Sequence, residues 1–249
     1  MSLDATIITI CWNAGATIQR TLNSVLAQST LPKQYLVVDG GSQDATLEIL
    51  AAARPRFEAA GIQFCVLPQQ RVPGEAGIPN AWNQALRQAT GDFIAILNAD
   101  DWYETDVLSD VTTAFQKTDA DAVVMPIRFI DSDGKVVRVL SPQPFSRLPW
   151  KMVLPHPGTF FRKRVYDRLG LYNPAYRISA DYDFIWRCHQ AQISWHFLEA
   201  PKVNMQAGGL ADTGRKTARR ETYTIARHYT PWYDLRPIIA RILRSLTSR

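Results

Sequence analysis

The chain opens with an apolar, β-branched run followed at once by apolar residues at helical spacing, and repeats this, which restricts its fold more than any other feature. "ATIITICWN" leads into "GATIQRTLNSVLAQ", where Ile18, Leu22, Val25 and Leu26 recur at the helical period. "QYLVVDGG" then leads into "SQDATLEILAAARPRFEAA", and "IQFCVLP" into "AGIPNAWNQALRQAT", before a last strand in "GDFIAILNADD". Strand and helix in alternation, punctuated by Gly and Pro, predict an α/β fold with a mostly parallel central sheet and helices on both faces.

Ligands of such sheets sit beyond the carboxyl ends of the strands. Two of those ends are acidic, at Asp39 and at Asp100-Asp101. None of the thirteen glycines has another two residues on, so the dinucleotide fingerprint is absent. The single Gly-Lys pair, Gly134-Lys135, has Phe129 where a P-loop needs its first glycine. Carboxylates therefore stand where phosphate-binding folds place glycines. A divalent cation, Mg²⁺ or Mn²⁺, is the usual bridge between carboxylate and phosphate. On that reading Asp100 reaches the metal, Asn98 adds a neutral contact, and the ion carries the diphosphate of a nucleotide. The alternative has Asp101 capping a helix that begins near Glu104, with Asp100 solvated.

At 249 residues and 46% hydrophobic, the chain is long enough for one large domain. Cys11, Cys65 and Cys188 stand apart without a CxxC pair, which suits a reducing compartment and three small core residues. No apolar run approaches the roughly 18 residues of a membrane span, and the N-terminus has no signal-peptide pattern, so a cytoplasmic location is expected. The formal charge is +5, and residues 213–249 hold nine Lys or Arg against Glu221 and Asp234. That leaves 5 − 7 = −2 on residues 1–212, which speaks against a nucleic-acid-binding core and makes the basicity a property of the tail.

Five stretches, in order, resemble the family 2 inverting glycosyltransferases, whose nucleotide-binding α/β domain is of the GT-A type. They are "IITICWNAGATIQRTLNSVLAQ", "YLVVDGGSQDAT", "GIPNAWNQALRQATGDFIAILNADDWY", "HPGTFFRKRVYDRLGLYNPAYRISADYDFIWR" and, more weakly, "GGLADTGRKTARRE". The resemblance implies a GT-A domain over residues 1–228, with a nucleotide-binding half (1–101) and an acceptor-side half (102–228), followed by a tail (229–249). It implies that Asp39 accepts a hydrogen bond from the nucleotide base and that the loop of Cys11 and Asn13 lies along the nucleoside. Asn98-Ala99-Asp100 takes the D-x-D position, with Asn98 in place of the first aspartate, Asp100 as the metal ligand and Asp101 beside it. Asn83 and Glu75 fall at donor-facing positions, and Asn80 stands where many members carry Asp.

On the acceptor side, "SADYDFIWR" aligns Asp181 with the aspartate of the family's Glu-Asp motif, while Ala180 replaces the glutamate. Asp183, two residues on, is expected to point elsewhere, and the resemblance implies that the general base of an inverting displacement is Asp181. Its first-turn alternative is a cap for a helix over 184–190. The resemblance places His156, between two prolines, toward diphosphate or acceptor, and implies that Arg187 pairs with an acid or holds the base loop. Specificity is expected in an ordered loop over 125–155. In the tail, Leu235, Ile238, Ile239, Ile242, Leu243 and Leu246 make one apolar stripe flanked by arginines. Over 234–247 this is a basic amphipathic helix for an anionic membrane, near a lipid-linked acceptor, or a last helix packed on the domain. Tyr229, Trp232 and Tyr233 precede it. Two other functions fit an α/β nucleotide domain: a sugar nucleotidyltransferase, which needs a Gly-rich basic loop where "CWNAG" stands, and a non-catalytic nucleotide-sugar-binding module.

Overall fold

Four strands of the first half lie between two cores. In the computed structural model, which describes residues 3–207 and 214–230, β1 (Ala5–Cys11), β2 (Gln34–Asp39), β3 (Gln63–Pro68) and β4 (Phe93–Ile96) pair in parallel as β3-β2-β1-β4. Successive side chains leave opposite faces of a strand. Ile8, Leu36, Ile94 and Ile96 accordingly enter one core, and Ile7, Val37, Phe93 and Ala95 the other. This is why these runs read as continuously apolar.

Helices close both faces. α1 (Ile18–Leu26), α2 (Thr46–Ala59) and α4 (Val107–Lys117) bring Leu22, Phe57 and Val111 to one core. α3 (Gly77–Leu86), α5 (Lys163–Leu169) and α6 (Ala180–Gln190) bring Trp82, Tyr166 and Phe184 to the other. Fully burying an aromatic of this size is worth about 1.5–3 kcal/mol, so each helix is held mainly by its apolar face.

Beyond β4 the sheet changes sense. β9 (Thr159–Arg162) inserts antiparallel between β4 and β6 (Ala122–Val124), and β10 (Trp195–Phe197) pairs parallel to β6, giving a mixed seven-stranded sheet. A second, four-stranded sheet runs β5 (Trp102–Tyr103), β11 (Val203–Gln206), β7 (Ile127–Ile130), β8 (Val136–Leu140). The sequence reading expected a loop over 125–155; β7 and β8 occupy its first half, and short 3₁₀ turns at Phe145–Arg147 and His156–Gly158 follow. β8 gives little period-2 signal because Val136, Val137 and Val139 are all exposed.

The last described helix, α7 (Arg215–Tyr229), crosses the boundary drawn at residue 228. Tyr229 stacks on Trp186 of α6 at 5.4 Å and donates a hydrogen bond to Asp183, so it packs into the domain rather than standing ahead of the tail. The amphipathic stripe expected over 234–247 lies outside the described residues. Among the described residues no helix is long and apolar enough to cross a membrane.

Candidate active site

Parallel pairing sets Cys11 beside Asp39 at the carboxyl ends of β1 and β2. Asp39 is buried, and its oxygens accept hydrogen bonds from the amides of Gly41 (2.9 Å) and Ser42 (3.0 Å), the Ser42 hydroxyl, and the Cys11 thiol (3.5 Å). A carboxylate has about four acceptor positions, and these four donors fill them. A ligand N–H would have to displace one, and the long thiol contact is the weakest. Burial and the neighbouring carboxylate push the Cys11 thiol well up, so it stays protonated and donating. Asn13 adopts left-handed backbone, φ 50°, which Asn tolerates. Its amide donates to Ser42 Oγ and its Oδ1 accepts from the Gln43 amide, both at 2.8 Å, clamping two strand-end loops together beside the exposed Trp12.

The next strand over carries the acid turn. Thr9 of β1 donates to the Leu97 carbonyl at 2.6 Å, tying the turn after β4 to the neighbouring strand. Asn98 donates to Asp101 Oδ2 at 3.2 Å, and the Asp101 amide closes the turn onto the Asn98 carbonyl at 3.1 Å. Asp101 caps no helix: β5 intervenes and α4 begins only at Val107. It is instead buried to 1% exposure, and desolvation, with Asp100 adding to it, holds its carboxyl well above the usual carboxylate range. Among the described residues its Oδ1 has no hydrogen-bond partner. Asp100 is half-buried beside it.

Arg20 of α1 is the cation that answers these acids, and nothing in its helical period distinguishes it in the sequence. Its guanidinium donates to the Asp100 carbonyl (3.0 Å) and to Gln206 of β11 (2.9 Å), and lies 3.6 Å from the centre of the Trp102 ring. Thr21 adds a bond to the Asp101 carbonyl at 2.7 Å. The turn is therefore fixed by α1 and by the second sheet, not by its own residues alone.

The donor set suits a hard divalent ion. Asp100 presents a half-buried carboxylate next to an unpartnered buried oxygen of Asp101. Among the described residues no group of three His, Cys, Asp or Glu side chains converges as a metal cage. A site with one or two protein carboxylates is the kind Mg²⁺ or Mn²⁺ occupies when phosphate and water complete its shell.

A third cluster centres on Tyr172. Asn83 spends both ends of its amide on that residue's backbone, donating to its carbonyl at 2.8 Å and accepting its N–H at 3.0 Å. His156 Nε2 meets the Tyr172 hydroxyl at 2.9 Å, and the ring packs 4.8 Å from Trp82. Burial pushes His156 down to about 4, so the ring is neutral at pH 7 and brings no positive charge toward a diphosphate. Asn80 and Glu75, paired at 2.7 Å, stay together at the entry to α3.

Asp181 lies in the first turn of α6, which begins at Ala180 with Ser179 as N-cap, earlier than the sequence reading placed it. The surrounding protein raises its carboxyl to about 6 by desolvation, against the pull of the Tyr182 amide at 2.7 Å. Asp183 points away as expected, paired with Arg187 at 3.0 Å. Arg187 also donates to the carbonyls of Leu169 (2.8 Å) and Leu171 (2.7 Å), so it both pairs with an acid and holds the preceding loop.

Sequence reasoning missed Glu221. From α7 its carboxylate accepts the backbone N–H groups of Arg177 (2.7 Å), Ile178 (2.9 Å) and Ser179 (2.8 Å), which lead into α6. Ala180 stands where the resemblance expects an acid, and here an acid arrives at the same helix start from another helix, so no local pattern reveals it. Its charge also helps to raise Asp181. Glu221→Gln removes that charge, and the Asp181 carboxyl, followed by carbon NMR, is expected to titrate at lower pH. Glu221→Ala frees three amides and is expected to cost about 1–2 kcal/mol in urea unfolding. An unmoved Asp181 titration in the Gln variant would show that Glu221 is a cap and nothing more.

Comparison with known proteins bears on the fold and the family. The model for "Glycosyl transferase family 2" matches residues 6–170. A Mycobacterium tuberculosis PGL/p-HBAD biosynthesis glycosyltransferase is 28% identical over 204 residues, 81% of this chain and 76% of the relative. Succinoglycan biosynthesis protein ExoO of Rhizobium meliloti is 31% identical over 153 residues, 61% of this chain and 41% of its own. Among solved structures, S. aureus TarS 1-349 in complex with UDP superposes with a TM-score of 0.68 at 19% identity, covering 90% of this chain and 65% of that one. Against a longer TarS chain the coverage of the relative is 39%, so this protein spans well under half of it. The mannosyltransferase PcManGT of Pyrobaculum calidifontis, in complex with GDP-Man and Mn²⁺, superposes at 0.63 with 18% identity over 94% of this chain and 71% of that one. These structures share the GT-A fold. Because the family match takes in both strand-end acid sites within one continuous span, the chain belongs to glycosyl transferase family 2.

Proposed function

We propose that the protein is an inverting, divalent-metal-dependent glycosyltransferase that moves a sugar from a nucleotide-sugar donor to an acceptor hydroxyl in polysaccharide or glycolipid assembly. Residues 1–101 hold the nucleotide, and the part of the domain from residue 102 to the end of α7 at Tyr229 forms the acceptor side. The observation that carries this reading is the pair of carboxylates, Asp39 and Asp100, at the ends of strands flanking β1, in a chain whose Asp181 carboxyl is raised to about 6.

Asp39 and the Cys11–Asn13 loop receive the nucleoside. Asp100, with Asp101 and Asn98 beside it, would hold the ion, which when bound would supply charge neutralisation for the diphosphate. The acceptor oxygen attacks the anomeric carbon as the carbon–oxygen bond to the diphosphate breaks. The bonding pair leaves with the nucleoside diphosphate, and the acceptor proton passes to Asp181. A carboxylate near 6 is mostly ionised at pH 7 yet more basic than a free one, which suits a general base. Tyr172, held by Asn83 and His156, lies close enough to Asp181 to feel its charge and helps to fix the acceptor side.

A sugar nucleotidyltransferase lacks support, since the loop after β1 is a polar turn clamped by Asn13 rather than a basic glycine loop. The test is a thermal-shift screen of nucleotide sugars with and without Mn²⁺. A ligand at a hundred times its Kd stabilises the native state by about 2.7 kcal/mol, and a rise in Tm that needs both nucleotide sugar and metal is expected. Stabilisation with no turnover of donor would favour the binding-module reading, and no stabilisation by any nucleotide sugar would sink both.

A further inference from the structure

Away from the strand ends, a groove of about 540 Å³ opens between residues 150–152 and α7. Lys151, Arg219 and Arg220 line it, and among the described residues none of the three pairs with a carboxylate. Three like charges in one exposed groove are screened by water, and together they make a positive field that favours an anionic ligand. Arginine's planar fork fits phosphate oxygens in pairs. Trp150 and Tyr223, 51% and 44% exposed, also line the groove. Broad aromatic faces beside cations suit a ligand with an apolar ring face as well as negative charge. A pyranose bearing a phosphate has both; inorganic phosphate has only the second, and a neutral sugar only the first.

The groove adjoins the base helix. Ala218 and Thr222, on its wall, meet the Ser179 hydroxyl through their carbonyl and hydroxyl at 3.4 Å each, and Ser179 is the N-cap of the helix whose first turn holds Asp181. Glu221, between them in sequence, is the residue that binds the three amides ahead of that helix.

We infer that this groove binds the phosphate-bearing saccharide of the acceptor, through Arg219, Arg220 and Lys151 for the phosphate and Trp150 and Tyr223 for the ring. The binding stands on the groove alone; its role as the acceptor site rests on the transferase reading.

The experiment titrates the full chain by calorimetry with glucose 1-phosphate, glucose and inorganic phosphate, and separately with phosphatidylglycerol vesicles. Glucose 1-phosphate is expected to bind at least tenfold more tightly than glucose or inorganic phosphate. Arg219→Gln with Arg220→Gln should weaken it tenfold or more, and Trp150→Ala should erase its advantage over inorganic phosphate. Asp100→Asn should leave it unchanged, which separates the groove from the donor end. Both arginines are exposed, and a circular-dichroism melt confirms that the double variant is folded. Equal affinity for inorganic phosphate would make the groove a plain anion patch and overturn the inference. So would binding that survives the double variant, or binding of vesicles without binding of the sugar phosphate, or no binding at all. Loss of nucleoside diphosphate binding in the donor screen with the groove intact would count against the transferase reading and not against the site.

Discussion

Replacing Asp181 by Asn is expected to lower sugar transfer by a factor of about 10² or more while leaving donor affinity near wild type. The substitution keeps the shape of the side chain and replaces the carboxylate by an amide too weakly basic to take the proton. Among the described residues the Asp181 side chain accepts the Tyr182 amide, a contact that an amide oxygen can keep, so the helix start should survive. The wild-type rate should also carry a signature in pH. With the carboxyl raised to about 6, the base is protonated and idle below that pH, and activity climbs as pH rises through it. The measurement is kcat and KM against pH for both proteins, with donor binding measured separately. Near wild-type transfer by Asp181→Asn would rule out the assignment and turn attention to Asp183, although that group is already engaged by Arg187 and Tyr229.

The second large effect concerns the donor. Asp100→Asn should abolish Mn²⁺-dependent binding of a nucleoside diphosphate and leave the fold intact. Asp100's backbone carbonyl, not its side chain, anchors the turn to Arg20, so the anchoring bond survives the change. What is lost is one full negative charge where a hard cation needs it. Asp101 is a poor substitute, because burial, the larger cause and one the substitution leaves in place, raises its carboxyl above the usual range. A titration of nucleoside diphosphate at fixed Mn²⁺, followed by thermal shift, reads the difference. If metal dependence is unchanged in the variant, the ion is not held at Asp100 and the D-x-D alignment misleads.

How much of this was written in the sequence differs from element to element. β1, β2 and β4 were legible because strands buried on both faces are continuously apolar, and β1 led directly into α1, a helix with a clear apolar stripe. β9 gave a strand signal in "GTFFRK" but no sign of its direction, since an antiparallel insertion between β4 and β6 depends on partners far off in the chain. β7 and β8 passed as loop because β8 is an exposed edge without alternation. The site shows the same division. Asp39, Asp100 and Asp181 could be picked out as acids at element ends or in matching motifs. The states of their environments could not.

By itself, the sequence determined the α/β class, the strand ends that carry acids, and the absence of a phosphate-binding glycine loop, because these depend on local period and spacing. Only the tertiary structure decided which side chains meet. It filled all four acceptor positions of Asp39, set Arg20 against the acid turn, drove the His156 ring to neutrality by burial, and brought Glu221 from α7 to the start of α6. Arg20 and Asp100 are eighty residues apart in the chain, and Glu221 and Ser179 forty-two. Desolvation and hydrogen bonding act through space over a few ångströms, so contacts across such separations exist only once the sheet and both layers of helices have closed.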